Sequence, residues 1–128
     1  MPTQKECGWL IPDYLKERHP LYLGPAQKLL PEILYDLKRG DVFLHDSDHG
    51  YSHIIFELSL AWGHLRPGGL ALCGNIEQNT AFYDFVKGVQ CPHMLVASFD
   101  SPERTWLHGV AQKPADASDD GAYPSQCA

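Results

Sequence analysis

The stretch that most constrains this chain runs from Asp41 to Ile76, DVFLHDSDHGYSHIIFELSLAWGHLRPGGLALCGNI. A short apolar run, Val42–Leu44, leads into a group of histidines and acids: His45, Asp46, Asp48 and His49. Ile54, Ile55, Leu58, Ala61, Trp62 and Leu65 then recur at the spacing of one helix face, which predicts a helix over Ser52–Leu65. Pro67, Gly68 and Gly69 supply a tight turn before a second apolar run, Leu70–Cys73, and a polar tip at Gly74 and Asn75. Strand, helix and strand in this order form a βαβ unit with parallel strands. Its polar residues fall at strand carboxyl ends, where open α/β sheets bind ligands.

The flanking sequence extends the alternation. Pro12 can open a short helix, PDYLKERH, because a first-turn proline forfeits no helical hydrogen bond. Leu21–Leu23 reads as a strand and Gly24-Pro25 as a turn. Leu29, Leu30, Ile33, Leu34 and Leu37 give helical spacing within Ala26–Lys38, with Pro31 as an alternative start and Gly40 as the stop. Thr80–Gly88 reads as a helix burying Phe82, Phe85 and Val86. Met94–Phe99 and Thr105–Gln112 flank SPER and read as a hairpin. The expected organisation is an N-terminal segment over residues 1–20, an α/β domain over 21–113 and a disordered tail over 114–128.

Composition narrows the function classes. A length of 128 residues permits one domain with a real core. The net charge of −6 argues against nucleic acid or an anionic membrane as the main partner. No apolar run approaches the length of a membrane span. Cys7, Cys73, Cys91 and Cys127 form no C-x-x-C pair, which argues against structural zinc and fits a reduced, cytoplasmic setting.

HDSDHGY followed by LRPGGLALCGNI resembles the second half of a class I S-adenosylmethionine-dependent methyltransferase. The likeness is to the branch whose fourth strand ends in Asp-x-Asp-His-x-Tyr and whose fifth follows Leu-(Lys/Arg)-Pro-Gly-Gly, and it covers Leu21 to Lys113. It implies a truncated Rossmann-like sheet, mostly parallel, with a C-terminal antiparallel hairpin. The family's sheet order, 3-2-1-4-5-7-6, would then lack its first two strands and their glycine-rich cofactor loop. Right-handed crossovers would place the remaining helices on one face. The other face would be bare and apolar, to be covered by Trp9–His19, a partner chain or a second copy. The unpaired edge of Val42–His45 is a further pairing template, so a homodimer is expected.

The resemblance assigns roles to particular residues. His49 would be the general base and Asp46 would orient a small-molecule substrate. Gly24, Ala26, Asp46, Ser47 and His49 would meet S-adenosylmethionine, although Pro25 offers no N–H and Gly74 stands where the family carries an acid. Asp46, Asp48 and Asn75 would form a weak Mg²⁺ site. Plainer readings compete. Ser47 or Asp48 could cap the following helix, and Tyr51 could pack its start. His45, His49, His53 and Glu57 share a four-residue interval suggestive of metal ligation. Two functional alternatives follow: a non-catalytic interaction module that has lost the cofactor, and a small metal-dependent hydrolase using Asp46, Asp48, His49 and His53.

Overall fold

The computed structural model describes residues 6–115. In chain order the elements are α1 (Asp13–Lys16), α2 (Ala26–Leu37), β1 (Gly40–His45), α3 (Tyr51–His64), β2 (Leu65–Cys73), a 3-10 turn (Ile76–Gln78), α4 (Ala81–Val89), β3 (His93–Ser101) and β4 (Arg104–Gln112). The fold class is α/β, with one four-stranded mixed sheet in the order β1-β2-β4-β3. Only β1 and β2 are paired in parallel; β4 runs antiparallel to both β2 and β3. The expected mostly parallel sheet is therefore corrected to a mixed one. Three strands share a direction, but β4 lies between β2 and β3 and makes two of the three pairings antiparallel.

Several boundaries differ from expectation for local reasons. Leu21–Leu23 forms no strand: it lies exposed, with no strand beside it to complete a ladder. α1 is a single turn opened by Pro12, shorter than expected. α2 begins at Ala26 and passes through Pro31. It ends at Lys38, not Gly40: Lys38 takes φ +62 and the Arg39 N–H closes onto the Leu37 carbonyl, leaving Gly40 to begin β1. β2 begins at Leu65, immediately after α3. Gly40 pairs with Leu65 and Val42 with Leu70, so Pro-Gly-Gly bulges within the strand and does not precede it. Gly68 has φ +79, and a Cβ on Gly69 would meet the Arg66 carbonyl at 2.8 Å. Both glycines are thus structural.

The register divides the sheet into two faces. On one, Phe43, Ala71, Cys73, Gly109 and Ala111 meet Ile54, Leu58 and Trp62 of α3 and Phe82, Phe85 and Val86 of α4. Trp62 packs edge-on against Phe85, with centroids 5.4 Å apart. Gly109 is small because the Phe82 ring fills its place: a Cβ there would lie 2.4 Å from the ring. Cys73 is buried, as expected of a small apolar residue in a strand. α2 packs on α3 and buries Leu34. Lys113 tucks inward, its Nζ donating to the Trp62 carbonyl at 3.0 Å near the end of α3.

The opposite face carries Leu44, Leu72, Val110 and Met94 in one row across all four strands, with Val42 and Leu70 beside it. Val42 is 57%, Leu44 64% and Met94 61% exposed. Among the described residues, β1 has no strand on its outer edge. None of the described helices is long and apolar enough to cross a membrane. The expected disordered tail lies outside the described residues from 116 onward.

Candidate functional site

The site grows from the carboxyl end of β1. Strand alternation turns His45 toward the core, where it is fully buried. The buried side of α3 brings up Glu57, three residues after Ile54 and four before Ala61. His45 Nδ1 donates to Glu57 Oε2 at 2.6 Å. Ser47 Oγ donates to Glu57 Oε1 at 2.9 Å, and His53 Nε2 donates to the same oxygen at 2.7 Å. Gln27 of α2 completes the chain, its Nε2 donating to His53 Nδ1 at 3.0 Å.

This network fixes both tautomers, because a carboxylate only accepts. His53 carries its proton on Nε2 and accepts on Nδ1. His45 carries its proton on Nδ1, leaving Nε2 with a lone pair, buried and without a hydrogen-bond partner among the described residues. Burial pushes the Glu57 carboxyl upward, but the hydrogen bonds from His45, Ser47 and His53 outweigh it and hold its pKa below the usual range. Burial, together with the charges of Glu57 and Asp46, pushes the Cys73 thiol up to about 12, which removes it as a nucleophile at neutral pH.

The loop after β1 is folded by its own side chains. Asp48 Oδ1 accepts the Gly50 N–H at 2.7 Å, and Asn79 Nδ2 donates to the His49 carbonyl at 2.8 Å. Asn79 Oδ1 in turn accepts the Ala81 N–H, so one amide anchors the loop and starts α4. Neither Ser47 nor Asp48 caps α3, whose N-cap is Gly50 without a side-chain bond. Ser47 Oγ instead donates to Glu57, and Asp48 Oδ1 accepts the Gly50 N–H. Tyr51 serves the helix start: its hydroxyl donates to Asp84 of α4 at 2.9 Å.

The residues singled out in the sequence are only partly brought together. Ala26, Asp46 and Ser47 line one groove of about 730 Å³ beside the free edge of β1, with Glu57 at its base. His49 stands next to it, its Nε2 3.7 Å from Asp46 Oδ1, too long for a hydrogen bond. That nitrogen is buried and has no hydrogen-bond partner among the described residues. Gly24 packs toward Leu29 and does not line the groove. Asp46, Asp48 and Asn75 address three different partners: Asp46 lies against Gly74, Asp48 holds Gly50 and the Asn75 amide serves Glu77. Among the described residues, no group of three or more His, Cys, Asp or Glu side chains is placed to hold a metal ion.

Gln27 and the hub role of Glu57 escape the sequence reading. The signal for Glu57 was present, since its position falls on the apolar stripe of α3, where an acid must be paired. The arrangement defines a class: an α/β domain with a buried carboxylate–histidine network and an open groove at a strand's carboxyl end. No protein-family model and no curated protein matches the chain.

Proposed function

We propose that this chain is a methyltransferase-like domain carrying the substrate half of a class I S-adenosylmethionine-dependent fold. In this reading it transfers a methyl group to an oxygen of a small molecule once a partner completes the cofactor half. The observation that carries it is the unpaired edge of β1 beside the groove lined by Ala26, Asp46 and Ser47. The order β1-β2-β4-β3, with β4 antiparallel between its neighbours, supports it, because the family's 4-5-7-6 strands are arranged in that way. In that arrangement the missing strands add at the outer edge of β1.

The groove residues suit the task. Asp46 keeps 66% of its side chain exposed and stands ready to accept a substrate hydroxyl. His49 Nε2, with no competing hydrogen bond and 3.7 Å from Asp46 Oδ1, receives the proton by way of Asp46 as the oxygen becomes nucleophilic. Glu57 does not touch substrate: its oxygens are occupied, and it holds His45 and Ser47 so that the loop keeps its shape. S-adenosylmethionine supplies an electrophilic methyl on a sulfonium, so the protein's share is largely orientation and proton removal. Asp46, Asp48 and Asn75 each have a different neighbour, Gly74, Gly50 and Glu77, and this reading assigns no step to Mg²⁺.

A non-catalytic interaction module is the second reading, favoured by the open apolar face. A metal-dependent hydrolase finds less support, since His53 Nε2 is a donor to Glu57 and not a free ligand. Isothermal titration of S-adenosylmethionine into the purified chain tests the first reading. With a second copy of the chain as the partner that completes the site at the free edge of β1, micromolar binding, weakened at least tenfold by Asp46→Ala, is the expected result. A folded chain that gives no heat at millimolar cofactor overturns it in favour of the interaction module.

A further inference from the structure

We propose that the open face of the sheet is a self-association surface, through which two copies of the chain pack face to face about a two-fold axis. This goes beyond the methyltransferase reading and does not depend on it.

The face has the anatomy of an interface. Its centre is the row Leu44, Leu72, Val110 and Met94, flanked by Val42 and Leu70. Its margin is uncharged: Gln112 at one end and, toward the other, Val96 opposite His108 and Ser98 opposite Trp106. Ser98 Oγ and His108 Nε2 already bond to each other at 2.9 Å, a bond that covering the face leaves intact. The chain has sixteen acidic and ten basic residues, yet no Asp, Glu, Lys or Arg lies among the paired positions of this face from Val42 to Ser98. An apolar centre and depletion of charge distinguish interface cores from ordinary surface. A shallow hollow of about 300 Å³ between Leu70, Met94 and Val110 gives the face relief for an apolar side chain to enter.

A second copy fits this surface better than other occupants. Leu21 and Tyr22 line the β1 edge groove with Leu44, and neither lines the hollow at Leu70, Met94 and Val110. Met1–Lys5 and residues 116–128 contribute only Met1 and Tyr123 as large apolar side chains, too few to cover the six of the row and its flanks. A two-fold contact sets an uncharged apolar row against its own copy and buries no ion, although the chains repel elsewhere through their net charge of −6. Four strands about 4.8 Å apart and five to six residues of about 3.3 Å each span about 20 by 20 Å. Two such faces, with side-chain relief, bury on the order of 1,000–1,200 Å² in total, near the lower end for specific interfaces. The expected dimer is therefore micromolar and concentration-dependent.

Sedimentation velocity from 1 to 100 µM tests this. The wild-type chain should shift from 14.3 kDa toward twice that mass across the range. Val110→Glu, at the centre of the face, should remain monomeric throughout while keeping its circular dichroism spectrum and cooperative melt. Met94→Lys, at a site 61% exposed, provides a second variant should Val110→Glu unfold, and should weaken association at least tenfold. A wild-type chain that stays monomeric at 100 µM overturns the proposal. A dimer unmoved by the folded variants overturns it as well, and directs attention to the free edge of β1.

Discussion

The two faces of the sheet are cut from the same strands, residue by residue, and meet opposite conditions. Phe43 and Leu44 are neighbours in β1; the first packs on the core and the second is 64% exposed. Gly109 and Val110 are neighbours in β4; the first lies under the Phe82 ring and the second faces outward. Both faces are apolar, so composition does not separate them. The crossovers do: α3 and α4 both cover one side, and no described helix packs on the other. Apolar residues on both sides of a strand normally mean burial on both sides. The open face is therefore better understood as one half of a contact than as ordinary surface.

Deleting equivalent apolar bulk from each side tests the asymmetry at its strongest. Phe82→Ala removes a fully buried ring seated over Gly109 and should cost about 3–5 kcal/mol. Leu44→Ala on the open face should change stability by about 0.5 kcal/mol or less. Urea melts at 1 µM, below the expected dimerisation range, make the comparison. Similar losses from both would mean that the open face is already packed within one chain.

Glu57→Gln probes the polar end of the covered face. Both carboxylate oxygens accept, and an amide must turn its NH₂ toward one of the donors His45, His53 or Ser47. One hydrogen bond is lost or one histidine changes tautomer, at a cost of about 1–3 kcal/mol near neutral pH. The pH dependence has a definite sign. The folded-state pKa of Glu57 is depressed, so its stabilisation is present above the ordinary value of 4.5 and is lost as pH falls through the lower folded value. The variant lacks that loss, so the two stability curves should converge as pH falls below the ordinary carboxyl value of 4.5 and through the lower folded one. Curves that stay parallel from pH 7 to pH 3 would show that the network does not hold Glu57 ionised.

Legibility in the sequence followed the same division. Periodicity placed α3, α4, β1 and the hairpin because each has one stripe or alternation that must be buried. It failed at Leu21–Leu23, where apolar residues have the pattern of a strand but no neighbouring strand, and a ladder is a property of two segments. Residue type at a strand end singles out His49 and Asp46, and the structure puts Asp46 in the groove with His49 beside it. Glu57 was seen only as a member of a metal-like series, because its hub role depends on His45 pointing inward from a different element. Of Asp46, Asp48 and Asn75, Asp48 bonds to nearby backbone, the Gly50 N–H, a local choice that spacing alone does not reveal.

Lys38 gives the smallest expected effect and bears on neither face directly. It ends α2 with φ +62 and ψ −47, in a tight turn closed by the Arg39 N–H on Leu37. A side chain is strained there, whereas glycine adopts positive φ without a Cβ clash. Lys38→Gly should therefore stabilise the chain by about 0.5–1 kcal/mol after the added freedom of the unfolded glycine is counted. Because the strain is local to the turn, the gain should be the same for wild type and for Leu44→Ala. A loss of stability would mean that Lys38 is held by its side chain and that the register of β1 depends on it, which would tie the open face to a contact outside the sheet.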